Sequence, residues 1–251
     1  MGQLRPTTIF YGVRNLMRIA GVDYSMTSPA VCVFDGNGEF DFSKCRIDYY
    51  TDKAKYAVQK LGFQLRGHFA QPPKEPMARY EYISGWALPH LLSSDYIMIE
   101  DYAYGAKGQV FNIGENTGIL KYRMWTHKKK YATVAPTQVK KFATGKGNAK
   151  KEDMHDAFVK ETGINLLAVY NSASKNIINP VSDIVDAYYI CKYGFHTYKE
   201  RESNGNSNKQ SNGAGNNRGG GTSVEDRKRT NKTKNRNSKS RRGHKGNQKR
   251  H

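Results

Sequence analysis

Residues 18–34 read RIAGVDYSMTSPAVCVF: two apolar runs separated by an acid and a turn of small residues. Residues 18–23 are expected to form a strand that ends in Asp23, and residues 30–34 (AVCVF) a second strand. The intervening Ser25-Met26-Thr27-Ser28 suits a tight turn. Asp35-Gly36-Asn37-Gly38 follows, and this is hairpin chemistry, because Gly and Asn tolerate the positive φ that short hairpins need. Residues 45–50 then supply a third strand, so the chain opens with a meander of three strands.

Beyond the meander the apolar period changes. Residues 76–92 carry Tyr80, Ile83, Ala87 and Leu91 at helical spacing. Residues 96–100 (YIMIE) are almost wholly apolar, as expected of a central strand covered on both faces. Helices are expected over 112–126 and 136–142, with a short strand over 132–135 ended by Pro136. Residues 149–162 form an amphipathic helix stopped by Gly163. A last helix spans 182–193, with Pro180 as its start signal and Gly194 as its stop. Strands followed by alternating helices and strands make a layered α/β domain.

Four carboxylates punctuate these apolar segments. Asp23 ends the first strand and Glu100 the central one, while Asp183 and Asp186 sit three apart on the last helix and project from one face. Acids are costly to bury unless they are paired or bound to a cation. Two hard divalent ions would meet that need, since magnesium prefers oxygen ligands and a pair of ions about 4 Å apart clamps both oxygens of an in-line phosphoryl displacement. Glu100 lies on the Met98 face of its strand and Asp101 on the Ile99 face, so only one of the two reaches such a site. Alternation does not say which.

Four segments together resemble the RuvC-type Holliday-junction resolvases of the RNase H-like superfamily. They are GVDYSMTSPAVCVF (21–34), IMIEDYAYG (97–105), GNAKKEDMHDAF (147–158) and SDIVDAYYI (182–190), in the family's own order. The resemblance implies an RNase H-like mixed sheet flanked by helices, with Asp23, Glu100, Asp183 and Asp186 as catalytic metal ligands. It favours Glu100 over Asp101, and it matches Lys151 to a lysine close to the scissile phosphate, with Lys150 as the neighbouring alternative. Tyr102 and Tyr104 fall where the family carries aromatic residues near opened base pairs. The implied reaction is Mg2+-dependent hydrolysis of branched DNA by a homodimer, with two ions per site and Mn2+ as a substitute, and the helix around residues 112–125 helps to form the dimer. Tyr24-Ser25-Met26 replaces the family's usual Pro-Gly-Ser turn, and residues 51–90 are longer and more basic than usual. Those departures suit a phage, viral or otherwise divergent member, and they leave open a broader branched-DNA or flap nuclease. A non-catalytic nucleic-acid-binding module is the contrasting class, but a pure binder gains nothing from four acids that repel phosphate.

The charge of the 251-residue chain, +19, is uneven. Residues 200–251 hold 15 Lys/Arg against 4 Asp/Glu, and the rest hold 26 against 18. Such a field attracts polyanions, nucleic acid foremost. The expected organisation is an N-terminal arm (1–17), a nuclease domain (18–199) and a disordered basic tail (200–251) too poor in apolar residues to order itself. Arg241 and Arg242 in the tail, and Lys128, Lys129 and Lys130 in the body, are candidate DNA-backbone contacts. No apolar run reaches the roughly 18–20 residues that span a bilayer. Cys32, Cys45 and Cys191 form no C-x-x-C, so neither a zinc site nor a disulfide framework is expected, and a reducing, cytoplasmic compartment without a small-molecule cofactor fits.

Overall fold

The structure, a computed structural model, describes residues 16–101, 110–171 and 176–213, with side chains to residue 204. Tyr102, Tyr104, Arg241, Arg242 and most of the N-terminal arm and basic tail lie outside the described residues. The strands are β1 (Met17–Asp23), β2 (Ala30–Gly36), β3 (Cys45–Thr51), β4 (Gln59–Lys60), β5 (Leu65–Phe69), β6 (Tyr96–Glu100) and β7 (Tyr131–Val134). The helices are α1 (Pro76–Leu91), α2 (Val110–Thr126), α3 (Pro136–Thr144), α4 (Lys151–Thr162), α5 (Leu166–Val169) and α6 (Val181–Gly213). No helix among the described residues is long and apolar enough to cross a membrane.

The seven strands form one mixed sheet in the order β4-β5-β3-β2-β1-β6-β7, the expected α/β architecture of a mixed sheet flanked by helices. The meander is antiparallel, whereas β6 joins β1, β7 joins β6 and β5 joins β3 in parallel. Strands β1, β3, β5, β6 and β7 therefore all point their C-terminal ends at one edge. In the β1–β6 register Val22 faces Ile99, so Asp23 and Glu100, one residue further along, end neighbouring strands.

Strand alternation sorts the sheet into two cores. Ile19, Ala30, Cys32, Tyr96 and Met98 pack on one face beneath α4 and α6, while Ala20, Val22, Val31, Ile97 and Ile99 pack on the other beneath α1 and α2. Asp23 continues the Ile19–Gly21 row, and Glu100 continues the Tyr96–Met98 row. Both acids thus face α6.

Two glycines set how closely α6 approaches. A β-carbon at Gly21 would fall 2.0 Å from the Cys191 backbone nitrogen, and one at Gly194 would fall 2.8 Å from Cβ of Met98. The Cys191 thiol donates to the Ile19 carbonyl at 3.3 Å across the same contact. The three thiols, far apart in sequence, are all buried, and Cys32 contacts both Cys45 and Cys191 beneath this helix.

Three expectations need correction. Gly194 does not stop the last helix, which continues to Gly213 and so takes in the first part of the segment expected to be disordered. Gly194 serves close packing, whereas Gly145 and Gly163, at φ 80° and 73°, are the left-handed residues that do end α3 and α4. The sheet also extends beyond β3 by β5 and β4, where no strand was expected. Finally, α4 begins at Lys151 rather than 149, because the Asp153 carboxylate accepts from the Lys150 backbone N–H at 2.8 Å and caps the helix there.

Candidate functional site

Asp23, Glu100, Asp183 and Asp186 come together where α6 crosses the C-terminal ends of β1 and β6. Burial is the first cause of every shift in the group. It raises the Asp23 carboxyl well above the usual range, reinforced by the charges of Glu100, Asp183 and Asp186. Glu100 is pushed up to about 8 by burial and by Asp186, against the pull of Lys140. Asp183 rises to about 7, held back by the nearby Ser28 hydroxyl, and Asp186 rises to about 6, held back by Lys151 and Lys140.

Asp183 is the deepest of the four, at 7% exposure, and its Oδ2 is buried without any hydrogen-bond partner. An orphaned carboxylate oxygen beside three further carboxylates, with no sulfur or imidazole in the set, fits a hard, oxygen-seeking divalent ion.

Lys151 stands at the first turn of α4 with Nζ donating to Ser182 Oγ at 3.3 Å, and its charge acts on Asp23, Asp183 and Asp186. Of the two candidate lysines it is Lys151 that faces the acids, while Lys150 is exposed at the helix cap. Lys140 on α3 was not anticipated, since nothing in its local sequence separates it from Lys141. Ser28, Asn179 and Ser182 also join the site: Asn179 Nδ2 donates to Ser28 Oγ, and Ser182 Oγ donates to Asn179 Oδ1 at 2.8 Å.

Lys128, Lys129 and Lys130 lie elsewhere. They form the turn from α2 into β7 at the opposite edge of the sheet, where Lys129 Nζ donates to the Ser94 carbonyl at 3.1 Å. The structure therefore separates them from the acids, and at least Lys129 holds a turn.

A second polar cluster lies on the α1 face. Asp48, fully buried on β3, accepts from Arg46 Nε at 3.0 Å, from Arg66 at 2.8 Å and from the His68 ring at 2.8 Å, with His90 Nδ1 at 3.4 Å. Among the described residues, Asp48, His68 and His90 are the group with three possible ligand atoms within 4.8 Å of one another; the four acids on the α6 face are less tightly gathered. Both carboxylate oxygens already face guanidinium groups, which repel any added cation, and His68 and Arg66 hold the Asp48 pKa down against its burial. The cluster is an ion-pair hub joining β3, β5 and α1. It was illegible in sequence because its members meet only through the β3–β5 pairing.

The raised carboxyl values have a measurable consequence. An acid whose folded pKa lies above its unfolded value weakens the fold as pH climbs from the unfolded to the folded value, here from about 4 to between 6 and 8. His90, His155 and His196, whose values burial lowers, act oppositely over part of this window, so a difference between variants is the informative quantity. In chelator, Asp186→Asn is expected to be more stable than the parent by a margin that grows from pH 5 to pH 8. At pH 8 that margin should be on the order of 2 kcal/mol, or about 5 °C in Tm. Thermal melts across pH check this, and a margin independent of pH would contradict it.

No family model matches the chain, and no curated protein does. Among solved structures the chain is similar to RuvC of Thermus thermophilus, with 16% identity, a TM-score of 0.46, and coverage of 74% of this chain and 97% of that one. A structure of T. thermophilus RuvC in complex with Holliday junction substrate has the same identity and TM-score, covering 69% and 92%. The yeast mitochondrial Holliday junction resolvase Ydc2 has 10% identity and a TM-score of 0.40, covering 73% and 84%.

Proposed function

We propose that this chain is a metal-dependent endonuclease of the RuvC type that cuts branched DNA, resolving four-way junctions by paired nicks. The observation that carries this reading is the meeting of four carboxylates on the α6 face, with two lysines beside them and one carboxylate oxygen left without a partner. Asp23, Glu100, Asp183 and Asp186 would hold the metal, two magnesium ions or manganese in their stead. Bound there, the ions supply an activated water at neutral pH and offset the charge gathering on the phosphate. Lys151 and Lys140 add positive charge at the rim, which draws the phosphodiester toward carboxylates that would otherwise repel it. Branched DNA as the substrate class agrees with a body that is basic even without the strongly basic residues 200–251.

Paired nicks need two sites, and α2 supports a homodimer. Its outward face carries Phe111, Tyr122 and Trp125 at 80%, 64% and 69% exposure, with Gly114 and Gly118 between them, where added β-carbons would meet nothing. Large apolar side chains flanking small ones on an uncovered helix suit the same helix of a second copy. Trp125→Glu is expected to shift the protein toward monomer in sedimentation and to convert paired nicks into single ones. A parent that sediments as a monomer at working concentration would contradict the dimer.

The function itself is tested by incubating purified protein and magnesium with a synthetic four-way junction, a flap and a plain duplex, and mapping the cuts. Symmetric nicks confined to the junction support the proposal. Comparable cutting of the flap favours the broader branched-DNA nuclease, and binding without any cutting favours a non-catalytic module.

A further inference from the structure

Asn179 lies on no regular element, two residues before α6, yet it connects two of the site's opposite walls. The polarity of its contacts follows from which groups can donate. The Lys151 ammonium can only donate, so Ser182 Oγ accepts from it at 3.3 Å. Ser182 then has one proton, and its shorter contact is to Asn179 Oδ1 at 2.8 Å rather than to Asp183 Oδ1 at 3.3 Å. The Asn179 amide nitrogen can only donate, and it does so to Ser28 Oγ. Ser28 is thereby left with its own proton free to turn toward Asp183, whose pKa its hydroxyl lowers.

The hydrogen bonds run from Lys151 to Ser182, from Ser182 to Asn179 Oδ1 and from Asn179 Nδ2 to Ser28, so Asn179 ties together the two hydroxyls that act on Asp183. We propose that Asn179 is a positioning residue of the carboxylate centre, whose amide fixes Ser28 as a donor to Asp183 and anchors Ser182 as the acceptor for Lys151. This rests on the nuclease reading above and adds a residue type that the acids alone do not require. An amide suits the position because it carries its donor and its acceptor on separate atoms, Nδ2 toward Ser28 and Oδ1 toward Ser182. Aspartate would accept from both serines, drawing the Ser28 proton away from Asp183. The consequence is rotational: with its neighbours tied, Asp183 keeps Oδ2 free of protein partners, bare toward the other acids.

Partners that orient metal-binding side chains typically contribute 10–100-fold to metal affinity or activity. Asn179→Ala is therefore expected to weaken magnesium binding, measured by calorimetry on the full chain, by about tenfold, and to lower kcat at saturating magnesium by a similar factor. Junction affinity in chelator and Tm should stay close to the parent. Asn179→Asp should be at least as impaired as Asn179→Ala, although it is nearly isosteric with asparagine. Ser28→Ala should reproduce the defect, and the double variant Ser28→Ala/Asn179→Ala should be little worse than either single one, because both break the same chain. Additive losses, or parental magnesium affinity and kcat in Asn179→Ala, would overturn the proposal while leaving the nuclease reading intact. A parent protein that neither binds magnesium nor cuts would overturn both.

Discussion

Asp23→Asn should give a folded protein that still binds a four-way junction and cuts it on the order of a thousandfold or more slowly. Asp23 closes β1 on the α6 face, where burial, reinforced by three other carboxylates, raises its pKa. Exchanging one oxygen for an amide keeps the shape and removes a ligand charge, so the loss falls on metal binding and chemistry rather than on folding. In chelator the variant should be slightly more stable than the parent, because one of four mutually repelling charges is gone. The check is single-turnover cleavage beside junction binding and a thermal melt. Cleavage within tenfold of the parent would remove Asp23 from the site.

The second large effect is structural. Gly21→Ala puts a methyl group 2.0 Å from the Cys191 nitrogen and 2.4 Å from its Cα, both backbone atoms that no rotamer change can move. Strand β1 and α6 must separate, which weakens the thiol contact to Ile19 and lifts Asp183 and Asp186 away from Asp23. Overpacking of this kind costs about 3 kcal/mol, or roughly 6–12 °C in Tm for a domain of this size. Cleavage should fall further than the folded fraction does, since the acids lose register even in molecules that remain folded. Gly118→Ala on the open face of α2 is the control, expected to be neutral or stabilising by up to about 1 kcal/mol. Equal melting of Gly21→Ala and the parent would show that α6 is not held by this contact.

The parts of the site that were legible in sequence are those written into single segments. Asp23 and Glu100 stand out because each terminates an apolar run, and Asp183 and Asp186 because their spacing puts both on one helix face. Alternation predicted that Glu100 and Asp101 part company, and the structure turns Glu100 toward α6 along the Met98 row. The basic run Lys128–Lys130 was legible only as candidate DNA-backbone contacts, and its position at the far edge depends on the parallel β6–β7 pairing, which local pattern does not encode. Asn179, Lys140 and the Asp48 hub were illegible for the same reason, as each gains meaning only from residues distant in sequence.

Glycine carried two messages that look alike on the page. Gly163 ends α4 because its φ of 73° is easily reached only without a side chain, whereas Gly194 sits inside α6 because Met98 leaves no room for one. A helix-stop reading holds for the first and fails for the second. Strand β5 went unread because its five residues, LRGHF, include a glycine, an arginine and a histidine, a weak signal until the edge of β3 is there to pair with it. Its own Gly67 is again a close approach, since a β-carbon there would lie 2.1 Å from the Tyr56 carbonyl oxygen.

Magnesium is expected to bind the four carboxylates on the α6 face as one centre. The most direct test is a calorimetric titration of magnesium into metal-free protein at pH 7, comparing the parent with Asp183→Asn/Asp186→Asn. Saturable binding is expected for the parent and none for the variant, with both proteins folded by circular dichroism. Absence of saturable binding in the parent, or undiminished binding in the variant, would contradict it.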